Sequence, residues 1–357
     1  MKKIFSLLTL SALTMFVALV VLPSCEGPQG PQGVTGVDGT DGTDGTDGVD
    51  ANSFCVNCHT LANKTTIKTQ FAVSSHGMGN YVSYAGGRLG CAKCHSYNGA
   101  METMLTGMDT TAANFALPVA FQCDMCHDFH GSLDEADFPD YALRDNDPVS
   151  LIATDHMTMV DLPGSGNVCT ECHQLRRGTS PPNGDSVNIN STHWGGHHGP
   201  QGAILAGVGA FEPAGSMSYE NSAHTTLIGC SSCHMAKNDS RTDVGGHTWV
   251  MEAEDGYQNM AGCVECHAGA TSFDINGLQT KVEGLLEELH GLLAEHGLYS
   301  EEGLHDGGHP VTGMRSANEA GAVFNYILFE EGRSVGVHNP LYIEACLTNT
   351  IEMVEKW

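Results

Sequence analysis

Six times the chain places two cysteines two residues apart with a histidine directly after the second. The motifs are Cys55, Cys58, His59; Cys91, Cys94, His95; Cys123, Cys126, His127; Cys169, Cys172, His173; Cys230, Cys233, His234; and Cys263, Cys266, His267. With 14 cysteines and 19 histidines in 357 residues, composition alone gives far fewer than one match. The spacing suits covalent attachment of a c-type haem. Two thiols add across the porphyrin vinyl groups, and the histidine on the same short turn becomes the proximal iron ligand. A disulfide framework gives no reason for a histidine after every second cysteine. Zinc sites pair one such motif with another at fixed spacing, and the gaps here are irregular. Six covalently bound haem c groups are therefore expected, accounting for every cysteine except Cys25 and Cys346.

Thirteen further histidines remain. A low-spin electron-transfer haem takes a second axial ligand, whereas a reactive haem leaves that position open, so these histidines bear on function. There are enough for six bis-histidine haems, with seven to spare.

The elements that must position these ligands differ along the chain. Between the motifs Gly, Asn, Ser and Asp are scattered and no regular period is sustained, which predicts loops and short helices with few strands. Porphyrins are expected to form much of the core, since hydrophobic content is only 41% and aromatic content 7%. The last part of the chain reads as helix. Leu278, Val282, Leu285, Leu286, Leu289, Leu292 and Leu293 follow helical spacing, and Gly297 stops the run. Ser316 and Glu319 form a capping box for a second helix. Pro340 opens a third, with Asn339 as its cap. Cys346 on that helix is expected to be a buried thiol. The fold class expected is mainly α with extensive loops, with a core built around stacked c-type haems.

Several segments resemble bacterial multihaem cytochromes c of the superfamily that includes ammonia-forming nitrite reductases and octahaem reductases. They are Cys126-His127-Asp128-Phe129-His130-Gly131-Ser132, Asn167 to Gln174 and His197-His198-Gly199-Pro200-Gln201. Further segments are Asn221-Ser222-Ala223-His224, Cys230 to Met235, Gly245-Gly246-His247-Thr248 and Gly336-Val337-His338-Asn339-Pro340. The resemblance spans the first motif to the end. It implies distal ligands at His130, His198, His224, His247 and His338, with His76 as the sixth; His193 and His197 compete with His198. His290, His296, His305 and His309 lie in the helical region or its loop and read as surface or haem-propionate-bonding histidines. His156 is open.

The N-terminus reads as a secretory signal over 1–24: Met1-Lys2-Lys3, then an apolar run from Ile4 to Leu22. Leu22-Pro23-Ser24-Cys25 resembles a lipobox with Cys25 as the lipidated residue; an uncleaved signal anchor is the alternative. Over 25–51 that cysteine is followed by a Gly-x-y tether whose eight triplets run from Gly27 to Asp50. This is the collagen repeat, as a trimer stalk or a flexible spacer. Extended, the repeat reaches roughly 75 Å. The haem-binding region then covers 52–270 and the helical region 271–357, packed on the haem core.

Loss of Lys2 and Lys3 with the signal leaves 13 basic against 42 acidic residues. Such acidity excludes phosphate-backbone recognition, so no nucleic-acid partner is expected. It favours basic redox partners and lowers haem potentials. The leading expectation is a membrane-tethered hexahaem cytochrome in the cell envelope, conducting electrons through closely spaced bis-histidine haems to a redox protein or extracellular acceptor. The rival is a reductase of nitrite, hydroxylamine or another small oxyanion with one open haem; Arg176, Arg177 and Tyr219 could line its pocket. The Cys-x-x-Cys-Lys motif common at catalytic haems of that superfamily is absent. A subunit of a cytochrome filament is a third reading, and a homotrimer on the stalk a separate one.

Overall fold

A computed structural model of the chain describes residues 60–128, 143–178, 181–300 and 308–357. The signal, Cys25, the tether, the first motif (Cys55, Cys58, His59), His130 and His305 lie outside the described residues. The described residues all fall in the second of two units into which the chain divides, Asn52–Trp357. No helix among the described residues is long and apolar enough to cross a membrane.

The second unit is mainly helical with long loops. Its helices are α1 (Leu61–Val73), α2 (Ser75–Met78), α3 (Ala92–His95), α4 (Tyr97–Thr106), α5 (Cys123–Cys126) and α6 (Gly166–Thr170). They continue as α7 (Gln201–Leu205), α8 (His224–Leu227), α9 (Cys230–His234), α10 (Leu278–Glu295), α11 (Ala317–Glu331) and α12 (Pro340–Val354). The strands are short antiparallel pairs: β1 (Val149–Ser150) with β2 (Met159–Val160), β3 (Ser186–Ile189) with β6 (Gly313–Ser316), and β4 (Tyr299–Ser300) with β5 (His309–Pro310).

The main side-chain core lies between α10, α11 and α12, where Val282, Leu289, Leu293, Phe324, Leu328, Tyr342, Ile343 and Leu347 interdigitate. Helix α11 is apolar on every face, so it is buried all round from Ala320 to Phe329. The predicted capping box starts it: Ser316 accepts from the Glu319 amide, and the Glu319 carboxylate accepts from the Ser316 amide. Pro340 opens α12, but Asn339 makes no side-chain cap bond. Its amide is fully buried and donates to Asn221 Oδ1 at 2.8 Å, while its Oδ1 accepts from Ser222 N at 2.9 Å. Tertiary partners have displaced the capping bond, since a buried amide must satisfy both ends. Cys346 is fully buried, and burial pushes its thiol well up.

Residues 60–128 are built differently. Their buried apolar side chains are Ala85, Ala92, Ala100 and Met125, all but one of them alanine. In the same stretch Leu61, Leu105 and Leu117 stand 80% or more exposed. Met78, Val82, Leu117 and Pro118 line an open apolar recess there. Side chains alone give this stretch of the unit no core.

Candidate haem sites

Each described motif forms one turn of helix. The histidine amide donates to the carbonyl of the first cysteine: His95 to Cys91 at 3.2 Å, His127 to Cys123 at 3.1 Å, His173 to Cys169 at 2.9 Å and His267 to Cys263 at 2.8 Å. Cys230–His234 is itself helical as α9. Spacing of three and four along such a turn puts both thiols and the imidazole on one side. This is the local reason for the motif.

Opposite each of these five histidines stands a second one. Ring centres are 6.2 Å apart for His173 and His76, 6.1 Å for His95 and His197, and 6.3 Å for His127 and His247. They are 6.3 Å apart for His234 and His338, and 6.0 Å for His267 and His224. A metal–imidazole bond is about 2.0 Å, and the ring centre lies about 1.1 Å behind the ligating nitrogen. Two imidazoles on opposite sides of one iron are therefore about 6.2 Å apart, centre to centre. The five pairs fit that span.

The outward nitrogens agree. His224 Nδ1 lies 2.9 Å from the Val337 carbonyl, His234 Nδ1 3.0 Å from the Trp249 carbonyl, and His173 Nδ1 3.2 Å from Gln201 Oε1. A bond from Nδ1 to an oxygen fixes the tautomer, leaving Nε2 unprotonated for a metal. Burial pushes His76, His197 and His247 down to about 4 and His338 down to about 3, so these rings are neutral at pH 7 and keep a lone pair.

Four of the six distal ligands implied by resemblance, His76, His224, His247 and His338, face a motif histidine. His130 is outside the described residues. The fifth described pair holds His197, where the resemblance pointed to His198. His197 takes a left-handed backbone, φ +67°, which aims its ring at His95. The next ring turns away: His198 Nδ1 lies 3.1 Å from Glu331 Oε2, with the side chain 70% exposed. His156 bonds to Asp109 at 3.1 Å and Ser150 at 2.7 Å. His290 packs between Tyr299 and Tyr326, and His296 against Trp357.

Different motifs also touch. Cys172 Sγ in the fourth motif donates to the Lys93 carbonyl in the second at 3.8 Å, and the Lys93 side chain pairs with Glu171 inside the fourth at 3.0 Å. Cys230 Sγ in the fifth motif donates to the Gly166 carbonyl on α6, the helix that carries Cys169, at 3.9 Å, and Ser165 Oγ donates to Ser231 Oγ at 2.5 Å. Glycines make room. A Cβ at Gly229, just before Cys230, would lie 2.0 Å from the Pro163 carbonyl oxygen. One at Gly262, just before Cys263, would lie 2.5 Å from the Ser232 oxygen and 2.9 Å from Cys233 Cα. The second, fourth, fifth and sixth motifs therefore follow one another in a row. The third adjoins through Asp124, whose carboxylate accepts from Tyr97 OH at 2.7 Å.

The α10–α12 core positions two of the distal histidines. His338 directly precedes Asn339, and the loop leading to His224 is tied down by buried amides. Asn325 accepts from Phe211 N at 2.8 Å, Asn349 accepts from Met217 N at 2.9 Å, and Asn339 holds residues 221 and 222. Sequence reasoning named Asn339 only as a helix cap and Gln201 only inside a resembling segment, and it missed Asn325, Asn349 and Trp249 altogether. Nothing in the local sequence marks these contacts, because each is made to a residue at least 15 positions along the chain.

No protein-family profile and no curated protein matches the chain. Among solved structures it is similar to the outer cell wall cytochrome OcwA, at 17% identity and a TM-score of 0.48, over 80% of this chain and 49% of that one. The chain spans about half the length of that structure.

Proposed function

We propose that this chain is a multihaem c-type cytochrome that carries electrons through six bis-histidine haems. The carrying observation is that every described Cys-x-x-Cys-His histidine faces a second histidine at the span of one iron. The pairs that would hold the irons are His95 with His197, His127 with His247, His173 with His76, His234 with His338 and His267 with His224. His59 and His130 are left for the remaining haem. A haem held in such a pair supplies one-electron exchange at iron.

The protein fixes the spacing of the groups, keeps their ligands neutral and excludes most water. Cys91, Cys94, Cys123, Cys126, Cys169, Cys172, Cys230, Cys233, Cys263 and Cys266, with Cys55 and Cys58, would hold the porphyrins. Contact between neighbouring motifs makes the haems near neighbours. Export by the signal, lipidation at Cys25 and the Gly-x-y tether would place the body in the cell envelope, where a redox protein or an external acceptor takes the electrons. With all five described pairs complete, an open catalytic haem has no candidate among them.

The test is haem content per chain with low-temperature EPR of the oxidised holoprotein. Six haems, all low-spin, are expected. A high-spin iron whose signal shifts with nitrite or hydroxylamine would replace this reading with that of a reductase.

A further inference from the structure

Trp249 belongs to no motif, yet it meets the axial ligands of three sites. Its ring centre lies 4.8 Å from that of His76, nearly perpendicular at 84°, and 5.5 Å from that of His247 at 69°. Its carbonyl accepts from Nδ1 of His234 at 3.0 Å. Those histidines belong to the fourth, third and fifth sites.

The backbone at Trp249 is left-handed, φ +55°, a conformation that L residues adopt only when their surroundings hold them there. Here the surroundings are specific. Gly245 and Gly246, both at positive φ, open the turn, and the Thr248 hydroxyl closes it by donating to the Gly245 carbonyl at 2.7 Å. Gln70 on α1 accepts from the His247 amide at 3.2 Å and donates to Thr242 O at 3.1 Å. Phe71 packs edge-on against the indole at 6.1 Å. A Cβ at Gly246 would lie 2.4 Å from Gln70 Oε1, so the turn and α1 are fitted to each other. Ser74 then caps α2, accepting from Gly77 N at 3.0 Å, and sets His76 against the indole.

We infer that Trp249 is a shared positioning residue: its ring sets the imidazole planes of His76 and His247, and its carbonyl sets that of His234. It thereby fixes how the third site joins the row formed by the second, fourth, fifth and sixth. This rests on the bis-histidine reading above. The role is orientation, because an indole edge and a carbonyl touch the ligands and not the iron.

Two substitutions separate the two arms. Trp249→Gly removes the ring and keeps a backbone at ease at positive φ. Trp249→Val removes the ring and also resists that φ, because a β-branched residue is a poor fit there. The readout is EPR of the oxidised holoprotein, since the angle between the axial imidazole planes sets the anisotropy of each low-spin signal. Signals are assigned by their loss in His76→Ala, His247→Ala and His338→Ala.

With Trp249→Gly, the His76 and His247 signals are expected to shift and the His338 signal to stay. With Trp249→Val, all three are expected to shift while the other haems keep theirs. Unchanged His76 and His247 signals in Trp249→Gly, or equal changes at every haem, would overturn the inference. If the unsubstituted protein lacked low-spin bis-histidine signals, the functional reading itself would fall instead. Should Trp249→Val not mature with full haem, Trp249→Gly alone still decides the ring arm.

Discussion

At the scale of residues, a single dihedral angle separates the two candidates in His197-His198. Consecutive side chains point in different directions, and the left-handed φ at His197 sends its ring toward His95 while His198 goes to Glu331. His198→Ala is therefore expected to leave every low-spin EPR signal in place. His197→Ala should remove one, giving high-spin iron or, if the neighbouring imidazole swings in from 5.5 Å, a low-spin signal with altered g values. His197→Ala combined with His198→Ala should be high-spin at that haem. Loss of a signal in His198→Ala alone would reverse the assignment. The sequence showed both histidines but not the angle. Gly195, Gly196 and Gly199 leave this backbone many conformations, and only packing selects one.

At the scale of elements, what the sequence made legible was local and what it hid was long-range. The five described motif turns, the three C-terminal helices and the Ser316–Glu319 box follow from spacing within a few residues, and each is present among the described residues. Asn339 was legible as a helix start but not as a buried clamp on residues 221 and 222, because its partners lie more than a hundred residues back. The facing histidine pairs were hidden for the same reason, spanning from 43 residues (His224 to His267) to 120 (His127 to His247). The glycines where motifs meet belong to this scale too, and two of them make contrasting tests. In Gly229→Ala the new methyl would meet the Pro163 carbonyl at 2.0 Å, an overpacking expected to cost about 1–3 kcal/mol. Gly284 on the exposed face of α10 has nothing within 4 Å of a Cβ, so Gly284→Ala should stabilise by about 0.5–1 kcal/mol. Thermal midpoints of the two holoproteins should move in opposite directions. A Gly229→Ala protein as stable as the parent would mean that the fourth and fifth motifs are not in the contact described.

At the scale of the whole molecule, an uneven division of labour explains why the chain folds with so lean a set of apolar residues. Helices α10 to α12 hold a conventional side-chain core, whereas residues 60–128 bury three alanines and a methionine and leave leucines uncovered. On the proposed reading, porphyrins attached along that stretch would supply the missing apolar surface, so the groups proposed to carry electrons would also complete the fold. The ligand rings of the assembled molecule are not oriented alike. His234 with His338 and His127 with His247 are near parallel, at 27° and 35°. His173 with His76 and His267 with His224 are near perpendicular, at 84° and 87°, and His95 with His197 stands at 68°. Parallel imidazole planes split the iron d orbitals that overlap the ligand π systems and give rhombic low-spin spectra. Perpendicular planes leave those orbitals nearly degenerate and give a single, strongly anisotropic signal at large g. The oxidised holoprotein is therefore expected to show both classes at once. Two rhombic signals should disappear with His338→Ala and His247→Ala, and two large-g signals with His76→Ala and His224→Ala. Spectra of one class only, or the reverse assignment, would mean that the ligand pairs are not those seen in this fold.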